Sequence, residues 1–139
     1  MRNLSIIAIA LTLMMACSSP SPEVVTLNKQ DFITKVFDYE KNSDWAYAGK
    51  KPCVIDFYAD WCAPCKRVSP ILKELAGVYK NQLVIYKVDV DAENELAGLF
   101  GIEGIPALLF VPVSGEPQMK VGALNREQLV AEIDKILGR

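Results

Sequence analysis

Cys62 and Cys65 stand two residues apart in the run Trp61-Cys62-Ala63-Pro64-Cys65-Lys66. Two thiols at that spacing can exchange with disulfides as a cyclic dithiol/disulfide pair, or supply half of a zinc site. A zinc site needs two more ligands. The sequence has no histidine, and only Cys17 and Cys53 remain. Dithiol exchange is therefore the favoured chemistry, and no metal is expected. The missing histidines also remove His-based general base catalysis and Cys–His nucleophile pairs.

Exchange needs a thiolate, and a thiolate needs a setting that favours negative charge. The run Cys53-Val54-Ile55-Asp56-Phe57-Tyr58 precedes the two cysteines and is largely apolar at both alternating sets, so it predicts a strand covered on both faces. A helical pattern follows from about Ala63 to Tyr79, with Pro64 in its first turn and Pro70 predicted to kink it. Val68, Ile71, Leu72 and Leu75 form its apolar stripe. Unpaired N–H groups and partial positive charge at the start of such a helix stabilise a thiolate. Cys62 lies at that start and is the nucleophile candidate, expected to be the more exposed cysteine. Cys65, one turn along, is the resolving thiol. Asp56 puts a carboxylate inside the apolar strand, where burial raises its pKa and where it needs a partner or a task.

The remaining elements follow from apolar spacing and caps. Val24–Leu27 predicts a short strand, and Asn28 caps a helix from Lys29 with Phe32, Ile33, Val36 and Phe37 at helical spacing. Residues 40–51 read as a loop whose Trp45 and Tyr47 pack back on the domain. Leu83–Val90 and Ala107–Val111 are strands, Glu93–Phe100 a short helix, and Ser114-Gly115 turns the chain into Gln118–Val121. Asn125 and Gln128 have the spacing of a capping box for the last helix. The order is β-α-β-α-β-α-β-β-α, an α/β class with a central mixed sheet flanked by helices.

From Val24 to Arg139 the chain resembles the thioredoxin family. The strand with its buried acid, the Trp and C-x-x-C-Lys run (Val54 to Lys66), Pro70, Gly104-Ile105-Pro106 and Val121-Gly122-Ala123-Leu124 match the family's motifs in order and spacing. The resemblance implies the thioredoxin fold and a thiol–disulfide oxidoreductase acting on protein disulfides, favoured in the reductase direction. It implies that Asp56 is the general acid/base for Cys65, with Lys87 tuning it, and that Ile105–Pro106 is a cis peptide facing the cysteines. It also implies an apolar substrate-docking surface of Trp61, Ala63, Pro64, Gly104, Ile105, Pro106, Gly122 and Ala123. Ala63 stands where the family usually has Gly, Tyr58 where Trp is common, and Ala107 where Thr is usual. Ala63 leaves the redox poise open. Cys53 is an addition, read as a packed core thiol, with a third redox thiol as the alternative. Two other readings stay open: a reductase for apocytochrome thiols, and a non-catalytic binding or assembly subunit using the Pro106 groove.

The first residues read differently. Arg2 and the apolar stretch from Leu4 to Met15 have the length of a signal-peptide core rather than a membrane span. Ala16-Cys17 after that stretch resembles the lipobox of bacterial lipoproteins, with Met14 where Leu is usual. Residues 1–16 are then a signal peptide, Cys17 a lipid attachment site, residues 17–23 a tether and residues 24–139 the domain. The alternative is a plain secretory signal cleaved near Ala16. The protein is expected outside the cytoplasm, in the periplasm, membrane-anchored, monomeric and supplied with electrons by a membrane partner. Hydrophobic residues make up 51% of the 139 residues and the net charge is -2, a globular balance with no basic face, which excludes nucleic acid as a partner. No cofactor is expected.

Overall fold

The computed structural model describes residues 23–139, so the expected signal peptide, the lipid site at Cys17 and most of the tether lie outside the described residues. Among these residues lie five strands, β1 (Val25–Thr26), β2 (Cys53–Tyr58), β3 (Val84–Asp89), β4 (Ala107–Val111) and β5 (Gln118–Val121), and four helices, α1 (Lys29–Lys35), α2 (Ala63–Val78), α3 (Asn94–Leu99) and α4 (Arg126–Leu137), in the expected order β-α-β-α-β-α-β-β-α. The sheet order is β1-β3-β2-β4-β5. β3 runs parallel to β1 and β2, whereas β4 runs antiparallel to β2 and β5. This is the thioredoxin fold.

Strand periodicity divides the core in two. Cys53, Ile55 and Phe57 of β2 join Ala107, Leu109 and Val111 of β4 against Phe32 of α1 and Leu96 of α3. Val54 of β2 and Leu108 and Phe110 of β4 face the other way, against Val68, Leu72 and Leu75 of α2 and Leu129 and Ile133 of α4. Successive strand side chains point to opposite faces. Asp56 therefore lies on the α2 side, and Cys53 on the side away from it.

The helix ends have local causes. The Asn28 carboxamide oxygen accepts from Asp31 N at 2.8 Å to start α1. Apolar spacing continues through Val36 and Phe37, but α1 ends at Lys35, and Val36 and Phe37 fill the core from the turn beyond it. Asn125 and Gln128 form the predicted capping box, and Gly138 closes α4 in the left-handed region at φ 76°. Pro70 sits inside α2, and Ile71 is only half-buried beside the expected stripe. The loop after α1 packs back as expected: the Trp45 ring lies 4.9 Å from the Phe37 ring, and the Tyr47 hydroxyl donates to Lys51 O at 2.7 Å.

Candidate active site

Cys62 is the N-cap of α2, and Cys65 lies in its first turn. The two are joined as a disulfide, with 5.3 Å between their Cα atoms. Cys62 Sγ accepts from Cys65 N at 3.2 Å, so the helix offers that sulfur a backbone donor as well as its N-terminal charge. Pro64 occupies the first turn of α2, where its missing N–H removes no helical bond.

Exposure does not separate the two cysteines. Each is 3% exposed, which corrects the expectation that Cys62 is the more exposed of the two. The cause is tertiary: the cysteines and Ala59 form a small apolar cluster covered by Tyr58, Val90 and Ile105. Position alone distinguishes them, with Cys62 at the cap and Cys65 inside the helix, against the cleft that leads to Asp56.

Asp56 is 4% exposed, and its Oδ1 has no hydrogen-bond partner among the described residues. Burial pushes its carboxyl up to about 7, against the pull of Lys87 in the other direction. Lys87 is its register partner on β3. The two form no ion pair among the described residues, and Lys87 Nζ instead lies 5.5 Å from the centre of the Tyr58 ring. A cleft of about 200 Å³ brings Asp56, Cys65 and Lys87 to one space. The structure thus places a carboxyl that titrates near neutrality in the same cleft as the second cysteine.

On the other side of the disulfide, the Ile105–Pro106 peptide is cis, as expected. Pro106 O accepts from Gly122 N at 2.8 Å, which ties this loop to the end of β5, where Gly122 takes φ 108°. Trp61, Gly104 and Ile105 line one apolar groove, while Ala63 and Ala123 are exposed and Pro64 and Gly122 half-exposed. Trp61 and Val121 are 70% and 68% exposed, an unusual display for large apolar side chains.

Asp91 escaped the sequence reading. Its Oδ2 accepts from Trp61 Nε1 at 2.8 Å and so fixes the exposed indole beside the cysteines. Asp89 Oδ1 accepts from Asp91 N at 2.9 Å and holds that turn. The available signal was the pair Asp89-x-Asp91 at the carboxyl end of a parallel strand, where α/β sites gather. Among the described residues, no group of three or more His, Cys, Asp or Glu side chains is arranged to hold a metal.

Comparison with known proteins agrees with this arrangement. The family model described as Thioredoxin matches residues 23–135. The thioredoxin of Borreliella burgdorferi is 43% identical over 103 residues, covering 74% of this chain and 88% of that protein. Thioredoxin C-2 of Corynebacterium nephridii is 36% identical over 115 residues, covering 83% and 97%. Among solved structures, chloroplastic thioredoxin z superposes with a TM-score of 0.71 at 19% identity over 84% of this chain and 96% of that one, a likeness of fold. The thioredoxin of Malassezia sympodialis gives 0.66 at 27% identity, covering 83% and 91%.

Proposed function

The chain belongs to the thioredoxin family, and from that premise we propose that it is a membrane-anchored reductase of protein disulfides outside the cytoplasm. That it is a thiol–disulfide oxidoreductase follows from the family and from the Cys62–Cys65 pair. The direction, the residue roles and the location are our reading. The observation that carries the reading is the Cys62–Cys65 pair at the start of α2, with a buried Asp56, whose Oδ1 has no partner among the described residues, in the cleft beside Cys65.

In the forward direction the Cys62 thiolate attacks one sulfur of a substrate disulfide. The substrate S–S bond breaks, one substrate sulfur leaves as a thiolate, and the other stays bonded to Cys62. The Asp56 carboxylate takes the proton of Cys65, whose sulfur attacks Cys62 Sγ and releases the second substrate thiolate. Two electrons pass to the substrate, and the Cys62–Cys65 disulfide is restored. A dithiol donor must reduce it again. In an oxidising compartment that donor is a membrane protein carrying electrons across the bilayer. Trp61, Ile105 and the cis-Pro loop dock the substrate backbone beside the cysteines.

Reduction of insulin disulfides with a chemical dithiol as donor tests the activity, which Cys62→Ser abolishes. Equilibration with glutathione tests the direction. A pair more reducing than glutathione supports a reductase, and a strongly oxidising pair reverses the direction. Cell fractionation with acyl labelling tests the location: the label tracks with membranes and is lost in Cys17→Ser, whereas an unlabelled cytoplasmic protein overturns it.

A further inference from the structure

Ser69 is a polar group that the chemistry above leaves unused. It follows Cys65 by four residues on α2, so the two share one face of the helix. It lines the cleft that holds Asp56, Cys65 and Lys87. It also lines a second cleft of about 180 Å³, which reaches Asp56 from between α2 and the start of the domain at Glu23 and Val24. Asp56, Ser69 and Lys87 alone are common to both. The Ser69 side chain is exposed, and its hydroxyl has no partner among the described residues. Asp56 beside it is nine-tenths buried, with one carboxyl oxygen unpartnered.

A carboxyl that receives a proton from Cys65 in each turnover must also return it to solvent. No group among the described residues satisfies its orphaned oxygen, so water entering a cleft is the natural partner. A hydroxyl donates and accepts at once, and can therefore pass a proton along such a water chain without a net change of its own. Around the path lie Asp60 and Lys66 in the first cleft, Glu23 and Lys73 in the second, and Lys87 in both. Charges of both signs thus border the path, and Ser69 is a neutral hydroxyl between them that can hold water in place beside Asp56.

We propose that Ser69 is a positioning residue for the redox reaction: its hydroxyl holds the water through which Asp56 exchanges its proton with solvent. Asp56 gives up the proton taken from Cys65 to that water, Ser69 accepts from and donates to the chain, and the proton leaves by the cleft mouth. This rests on the reading of Asp56 as the acid/base for Cys65.

The test is single-turnover resolution of the mixed disulfide between full-length protein and a peptide thiol, at low buffer concentration in H₂O and D₂O. Ser69→Ala should slow resolution about fivefold or more and enlarge the solvent isotope effect. Added imidazole should restore the rate, because a small acid/base replaces the relay, and Ser69→Thr should behave as the parent. A Ser69→Ala protein with unchanged rate and isotope effect, alongside a slowed Asp56→Asn, overturns the relay and leaves the role of Asp56 standing. An Asp56→Asn protein with unchanged rate and pH profile overturns both. Loss of rate in Ser69→Ala that imidazole does not restore, with Ser69→Thr equally slow, marks a packing defect and also overturns the relay.

Discussion

Asp56 and Lys87 are register partners on the parallel strands β2 and β3, share one cleft beside α2, and yet do not close into an ion pair. A closed pair would hold the carboxyl ionised at all working pH. The open arrangement lets burial dominate, and the carboxyl is pushed up to about 7. The same strand register therefore supplies both the acid and the limit on how far its pKa rises.

The pH dependence of resolution follows. Below pH 7 Asp56 is protonated and cannot take the proton of Cys65; above it the carboxylate can. The rate of mixed-disulfide resolution should rise through an inflection near 7. Asp56→Asn should lose that inflection and slow the step by on the order of 10²-fold, the usual scale for removing a positioned base. Stopped-flow Trp fluorescence across pH 5–9 would read it, and a retained inflection in Asp56→Asn would assign it elsewhere.

Stability should move in the opposite sense to activity. The folded carboxyl titrates near 7 against an ordinary value of 3.8, so between those values the native state holds a proton that the unfolded chain has lost. Stability then falls as pH rises from near 4 to near 7 and is level above, by on the order of 4 kcal/mol. Asp56→Asn should stabilise the oxidised protein at pH 8 by on the order of 2 kcal/mol, the buried amide keeping part of the desolvation penalty. At pH 3, where both states are protonated, the gain should vanish. Denaturant melts at the two pH values check this; equal gains would detach the effect from ionisation.

The sequence carried the local half of this site. The alternation Cys53–Tyr58, the start of α2 at the first cysteine and the Asn125–Gln128 box were readable because each depends on neighbours within a few residues. The equal burial of Cys62 and Cys65 was not, since Ile105 and Val90 cover them from loops distant in sequence. The end of α1 was also hidden, because the core claims Val36 and Phe37 whether or not they are helical. Trp61 and Asp91 meet across 30 residues, and nothing in either local pattern announces the bond.

That bond makes a prediction about docking. Asp91 holds an indole that is 70% exposed, so its loss frees the ring without opening the core. Asp91→Leu should change stability by less than about 1 kcal/mol, as for other exposed hydrogen bonds. It should raise KM for a protein disulfide several-fold while leaving the rate with a small aromatic disulfide near the parent's. An equal loss for both substrates would place Asp91 in the chemistry rather than in docking.

Cys53 faces the α1 and α3 side of the sheet, opposite the disulfide, and is fully buried. Burial pushes its thiol up to about 12, with Tyr47 covering it from the loop after α1. A thiol so placed is neither nucleophilic nor reachable. With the Cys62–Cys65 disulfide intact, a thiol reagent should label Cys53 only after unfolding, read by mapping the labelled peptide. Cys53→Ala should keep the parent's rate of insulin reduction while costing about 1–2 kcal/mol in stability, the usual range for a small core truncation. Rapid labelling of native Cys53, or a loss of turnover in Cys53→Ala at unchanged stability, would instead make it a third redox thiol.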